Sequence, residues 1–337
     1  MPENRLNTVM NILVTGSAGH LGEALMRTLR AQGAPVTGID INPSAYTDLV
    51  GDIADRNFVK TAMRGIRAVI HTATLHKPHV ATHSKQDFVD TNITGTLNLL
   101  EEAVLQGVSS FVFTSTTSTF GAAMNPAKGE PAAWITEDVV PQPKNIYSVT
   151  KLAAESLCEL FHRKSKLPVL ILRTSRFFPE DDDNPQTREL YETPNVQALE
   201  LLYRRVDIAD AVTAHLVAME KAGPIGFGKY IISATTPFLQ THLKDLHTNA
   251  AEVVRTLYPE SEGLFDAAGW KLFSEIDRVY VNERARRELG WEPVYDFAYV
   301  LQCLRDRKDF RSELAREVGS KGYHEEEFED GPFPVEP

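Results

Sequence analysis

The stretch Tyr147-Ser-Val-Thr-Lys151 sets a phenol and an ammonium four residues apart, a spacing that puts both on one face of a helix. A free phenol titrates near pH ~10 and is a poor base at neutrality, but a cation beside it favours the phenolate. The pair is therefore suited to taking and returning a proton at a hydroxyl. Spacing alone decides little: ten tyrosines and 14 lysines in 337 residues give roughly 0.4 such pairs by chance. The setting says more. The upstream run Phe111–Ser115 reads as a strand and leads into consecutive hydroxyl residues, Thr114-Ser115-Thr116-Thr117-Ser118.

A second constellation lies near the N-terminus. The apolar run Met10–Thr15 ends in Gly16-Ser17-Ala18-Gly19-His20-Leu21-Gly22, a glycine-rich loop that opens a helical segment. Glycines there remove Cβ atoms so that backbone N–H groups can approach a pyrophosphate, and the helix N-terminus adds partial positive charge. The next strand ends at Asp40, 24 residues beyond Gly16. A carboxylate at that point accepts hydrogen bonds from an adenosine ribose diol and repels a 2′-phosphate. Ile41-Asn42-Pro43-Ser44 supplies no Arg or Lys to neutralise one, so NAD is expected over NADP. Asp52 and Ile53 are placed to meet the adenine edge, and Thr72-Ala73-Thr74 ends a strand beside the pyrophosphate. His76, His79 and His83 follow at helical spacing, but no carboxylate or cysteine completes a ligand set. No metal is expected, and His76 is read as a pocket wall.

The elements that must position these groups alternate. Strands are expected at 10–15, 36–40, 68–72, 111–115 and 169–173, and helices at 22–32, 55–64, 91–106 and 148–164. Strands apolar nearly throughout, alternating with helices, indicate a parallel sheet covered on both faces. The fold class expected is α/β, a doubly wound (Rossmann) sheet with a smaller C-terminal substrate-binding cap. After Arg173 the rhythm breaks into a polar, Pro-containing loop at 179–194, returns with a helix at 207–221 and a strand at 230–233, and ends in a mixed region with a helix at 282–289. The division implied is 10–173 plus 206–234 for the dinucleotide, 174–205 plus 235–320 for the substrate, and an acidic, flexible tail at 321–337. There is no internal repeat.

The formal charge of −11 disfavours a nucleic-acid surface, which needs clustered Lys and Arg. Cys158 and Cys303 stand far apart in helix-like segments and are expected to be reduced core thiols. No apolar run reaches membrane-spanning length, and residues 1–10 lack the apolar stretch of a signal peptide. A cytoplasmic protein without membrane partners is expected.

Taken in order, TGSAGHLG at 15–22, Asp40, Asp52-Ile53, HTAT at 71–74, Asn92, FTSTTSTFG at 113–121, NIYSVTKLAAE at 145–155, VDIADAV at 206–212 and ARRELGWEP at 285–293 resemble the extended short-chain dehydrogenase/reductase family, the NAD-dependent epimerase/dehydratase group. The resemblance spans about residues 10 to 300. It implies Tyr147 as general acid/base for a substrate hydroxyl, Lys151 as the residue that favours the phenolate and holds the nicotinamide ribose, and Thr116 where the family usually has Ser. It also implies cofactor contacts at Asn92, Thr114 and Thr174, substrate contacts at Thr117 and Ser118, and a homodimer formed through a four-helix face built from 91–106 and 148–164.

The chain departs from the family pattern in informative places. Arg176 stands where nucleotide-sugar epimerases usually carry an Asn, and Arg204 and Arg205 are shifted from the usual diphosphate-gripping Arg. Thr117-Ser118 replaces the Asp-Glu pair of a dehydratase, which disfavours dehydration. The cap segment between Arg173 and Asp207 is short, and the run Arg173–Glu180 is similar in layout to that of uronate dehydrogenases. Arg176 is expected to clamp a carboxylate or phosphate. The reading is an NAD-dependent epimerase or oxidoreductase acting on a sugar or sugar nucleotide, with a uronate-like dehydrogenase as the alternative. A non-catalytic NAD-binding regulator is the rival from another class, and it would have no need of an intact Tyr147, Lys151 and Thr116.

Overall fold

The computed structural model describes residues 10–182, 184–322 and Phe328. The polar N-terminal stretch and most of the expected acidic tail therefore lie outside the described residues.

Seven strands form one all-parallel sheet: β1 (Ile12–Thr15), β2 (Val36–Asp40), β3 (Leu49–Val50), β4 (Ala68–His71), β5 (Ser110–Thr116), β7 (Val169–Thr174) and β8 (Phe227–Ile232), in the order β3-β2-β1-β4-β5-β7-β8. Two short strands, β6 (Ala133–Ile135) and β9 (Arg278–Tyr280), pair with each other in a second, parallel ladder. The pleat sorts the large sheet's side chains onto two faces. Val14, Ile70, Val112 and Leu172 pack against the helices His20–Ala31 and Ile208–Ile225. Leu13, Val69, Phe113 and Ile171 pack on the other face against Gly95–Gln106 and Ile146–Ser165. Both faces are covered, which explains why alternation is missing from the strand sequences.

The expected element series holds, with boundaries shifted by a few residues. Helix ends follow local chemistry: the Asp55 carboxylate accepts from the N–H groups of Asn57 and Phe58, Asn145 accepts from Ser148, and Gly107 and Gly290 close their helices in the left-handed conformation. Two expectations need correction, and one pair of strands is unforeseen. The segment 179–194 is not loop throughout. Asn184 caps a short helix, Pro185–Leu190, by accepting from Gln186 N–H at 2.9 Å, and a second helix, Thr193–Glu200, follows. The helix expected from residue 91 has α geometry only from Gly95, and a π-helical turn, Val89–Thr94, precedes it. Finally, β6 and β9, at three residues each, are too short to carry a periodic signal.

A third cluster, including Leu199, Leu202, Phe238, Leu246, Phe265 and Phe297, joins the helices Thr193–Glu200, Leu243–Leu257, Ser261–Ala268 and Phe297–Asp306 beside the sheet. Both cysteines are buried and free.

Candidate active site

The carboxyl ends of the strands open into one cavity of about 930 Å³. The order of strands reverses between β1 and β4, which is where open parallel sheets place ligands. The glycine-rich loop follows β1 there. Helix His20–Ala31 starts so close to it that a Cβ on Gly22 would sit 1.9 Å from the Gly16 carbonyl oxygen. Gly16, Ala18, Gly19, His20, Leu21 and Gly22 all line the cavity. At the end of β2 the Asp40 carboxylate accepts from Ala18 N–H at 3.0 Å and from Asn42 N–H at 2.8 Å, which ties the loop to the second strand. Ile41, Asp52, Ile53, Thr72, Ala73 and Thr74 continue the same wall. The Thr72 hydroxyl donates to Thr15 C=O at 2.6 Å, and Asp52 turns its own loop by accepting from Ala54 N–H at 2.8 Å.

Asn92 differs from expectation. It is buried and stands outside the cavity lining. Its amide oxygen accepts from Leu75 N–H and the Thr74 hydroxyl, and its NH₂ donates to Leu75 C=O and Thr150 Oγ1, all at 2.9–3.0 Å. It thus fastens the 74–75 turn to the helix that carries Tyr147. The π-helical turn is the element that presents it.

The opposite half of the cavity carries the proton-handling groups. Helix Ile146–Ser165 brings Tyr147 and Lys151 to the cavity on one face, the end of β5 brings Thr114 and Thr116, and the 3-10 turn Thr117–Phe120 after it brings Thr117 and Ser118, with Thr174 on the adjoining strand in register with Thr116. A hydrogen bond with Thr116 favours the Tyr147 phenolate, but burial is the larger effect and pushes the phenol up to about 12. Burial likewise brings the Lys151 amine down to about 7, opposed by the Cys158 and Glu155 side chains. The Lys151 Nζ donates to Thr114 C=O at 2.7 Å and lies 4.2 Å from the centre of the Phe113 ring. Among the chain's own groups, burial therefore dominates the Tyr147 phenol, opposed by the Thr116 hydrogen bond.

Under this constellation lies a buried ion pair. Arg173 donates from Nε and Nη2 to Glu155 at 3.0 and 2.7 Å, and Ser115 Oγ donates to the same carboxylate at 2.6 Å. These contacts clamp the Tyr147 helix to β5 and β7.

His76 lies in the lining with its ring centre 6.2 Å from that of Tyr147 and 5.9 Å from that of Phe178. Burial, with His79 and His20 nearby, holds its imidazole well below the usual range, so it is neutral at pH 7. Arg176 also reaches the cavity. Its guanidinium meets Asp182 at 3.3 Å and donates to the carbonyls of Glu180 and Asp181. Arg204, Arg278, Tyr280 and Lys321 line the cavity as well. Arg278 and Tyr280 sit on β9 and Lys321 near the end of the described chain, positions with no motif to mark them. Among the described residues no group of three or more His, Cys, Asp or Glu is placed to hold a metal ion, and no helix is long and apolar enough to cross a membrane.

A parallel sheet whose carboxyl edge bears a glycine cradle, an acid at the end of its second strand and a buried Tyr–Lys–Thr set has the form of a Rossmann-type dinucleotide site. The profile of the NAD dependent epimerase/dehydratase family matches residues 12–227, and the chain belongs to that family. It is an NAD-dependent enzyme, with NAD as its cofactor.

Among similar proteins, an uncharacterized protein, y4nG, of Sinorhizobium fredii is 35% identical over 49% of this chain and 40% of its own length. The chain thus spans less than half of that relative. A UDP-glucose 4-epimerase of Rhizobium meliloti is 24% identical over 87% of this chain and 95% of its own. A short-chain dehydrogenase/reductase superfamily protein from Agrobacterium tumefaciens, solved with bound NAD, shares the fold with a TM-score of 0.61, at 24% identity over 91% of this chain and 98% of its own.

Proposed function

We propose that this protein oxidises a secondary hydroxyl of a sugar or sugar nucleotide and, as an epimerase, reduces the resulting ketone from its other face. The observation that carries the reading is the meeting of Tyr147, Thr116 and Lys151 in the same cavity as the Gly16–Gly22 cradle. Bound NAD supplies the hydride acceptor and a positively charged ring.

The Gly16–Gly22 backbone and the helix N-terminus hold the pyrophosphate, Asp40 the adenosine ribose, Asp52 and Ile53 the adenine side, and Thr72–Thr74, Thr114, Thr174 and Lys151 the remainder. Tyr147 exchanges the proton of the substrate hydroxyl, Thr116 orients that oxygen, and Lys151 favours the phenolate while its ammonium sits over the Phe113 ring. His76, Thr117 and Ser118 line the sugar, and Arg176 meets its anionic group. Chain segments 10–173 plus 206–234 serve the cofactor, and 174–205 plus 235–320 the substrate.

A second reading, net dehydrogenation of a small anionic sugar of the uronate type, rests on the guanidinium groups of Arg176, Arg204 and Arg278 in the lining and on the short segment between β7 and the Asp207-capped helix. A panel of sugars, uronates and nucleotide sugars incubated with NAD separates the two. Interconversion of stereoisomers without net NADH supports the epimerase, and steady NADH formation supports the dehydrogenase. No turnover of any panel member, with NAD bound, removes both in favour of a regulatory NAD-binding protein. We further infer a homodimer through the helices Gly95–Gln106 and Ile146–Ser165, which expose Val104, Leu105, Val149 and Leu160; sedimentation as a monomer alone would exclude it.

A further inference from the structure

Three segments far apart in sequence meet where the cofactor loop borders the substrate side of the cavity. The His20 Nε2 lies 2.8 Å from Glu180 Oε1. The same carboxylate oxygen accepts from the Ser320 hydroxyl at 2.8 Å and from Lys321 N–H at 3.1 Å. Burial alone would raise the Glu180 carboxyl, but the hydrogen bonds from His20 and Ser320 hold it down to about 2. It is thus a carboxylate at every working pH and a firm acceptor.

The strap arrives by a defined route. The last helix, Glu313–Val318, packs on the helix His20–Ala31 through Leu314, Ala315 and Val318. Gly319, with φ of 61° and ψ of −163°, then turns the chain back across the start of that helix. The Lys321 ammonium pairs there with Glu23, in the helix's first turn, and Lys321 and Gly322 both line the cavity.

From this geometry we infer that Ser320–Gly322 is a clasp over the pyrophosphate end of the dinucleotide site, closed by Glu180 and Glu23, and that it retains NAD between turnovers. The inference rests on NAD binding at the Gly16–Gly22 cradle. The site is made of two features that suit a diphosphate: the N-terminus of a 12-residue helix and an ammonium beside it. Passage of the cofactor over that end requires the two hydrogen bonds to Glu180 and the ion pair to Glu23 to open together. The same Glu180 belongs to the loop that engages Arg176, so opening the clasp also loosens the substrate wall.

The test is the rate at which bound NAD exchanges with excess labelled NAD, measured on the full chain, on a chain ending at Gly319, and on the full-length Ser320→Ala/Lys321→Ala variant. Both altered proteins lose the Ser320 hydroxyl bond to Glu180 and the Lys321 ion pair with Glu23, and the shortened chain also loses the Lys321 N–H bond; release is expected to speed up about tenfold in each. Equal release rates in all three would overturn the clasp. So would release from the Ser320→Ala/Lys321→Ala variant no faster than from the full chain, because the two side-chain contacts would then not hold the cofactor. Calorimetric titration of NAD into the same proteins keeps the outcomes distinct: loss of all binding by the full chain would instead remove the cofactor site on which the inference rests.

Discussion

Arg173 grips Glu155 with two parallel N–H···O bonds while the carboxylate is wholly shielded from solvent. A buried pair of this kind gives little net stability when intact, because both ions lose their hydration, but removing one partner strands the other. Arg173→Met is therefore expected to cost about 3–5 kcal/mol, read from urea unfolding. Adding Glu155→Met should restore most of the loss, since two apolar side chains replace two ions. A double variant as unstable as the single one would show that packing, and not the stranded charge, sets the cost.

Lys151 offers the opposite sign. In the unfolded chain its amine titrates near 10.5, and in the folded protein near 7. Between those values the unfolded state binds more protons, so stability rises with pH across that window, and the full cost of burying the cation is present below about 7. Lys151→Met should abolish turnover yet be about 1–4 kcal/mol more stable at pH 7. The gain should fade as the pH approaches 10.5. Thermal melts at pH 6.5 and 9.5 check both the sign and the trend.

Tyr147→Phe removes the hydroxyl and leaves the ring in place. Turnover should fall by about 10²–10⁴-fold, the usual contribution of a positioned acid/base, with NAD affinity unchanged by calorimetry. Retention of more than a tenth of the activity would assign proton exchange to another group, with His76 the nearest imidazole.

Asp40→Ser tests cofactor choice. Losing the carboxylate removes the repulsion of a 2′-phosphate, and the serine hydroxyl still offers an acceptor to Ala18 N–H. The preference for NAD over NADP, measured as the ratio of the two Kd values, should fall about tenfold. An unchanged ratio would mean that Ile41–Ser44, at the cavity rim, sets the selectivity.

What could be read from the chain beforehand follows the range over which each feature acts. The Gly16–Gly22 cradle, Asp40 and the Tyr147–Lys151 pair depend on spacing along one or two elements, and those residues do converge in space. Asn92 was legible as a motif residue, but its bonds to Leu75 and Thr150 depend on a π-helical turn that has no periodic signature. Glu155 and Arg173 sit in plain view within a helix and a strand, and only the packing of those elements makes them partners. Arg176 stands out in the sequence because it replaces the family's usual Asn, whereas its engagement by residues 180–182 depends on how that loop folds back. Lys321 carried no signal, because it acts through a turn 301 residues beyond His20.

The pairing of β6 with β9 joins residues 133–135 to 278–280. A nascent chain therefore completes the strands around the nucleotide cradle well before it can stitch this second ladder, since non-local pairings wait on the later segment. The Gly16–Gly22 cradle is thus laid down before the late-arriving β9 adds Arg278 and Tyr280 to the pocket.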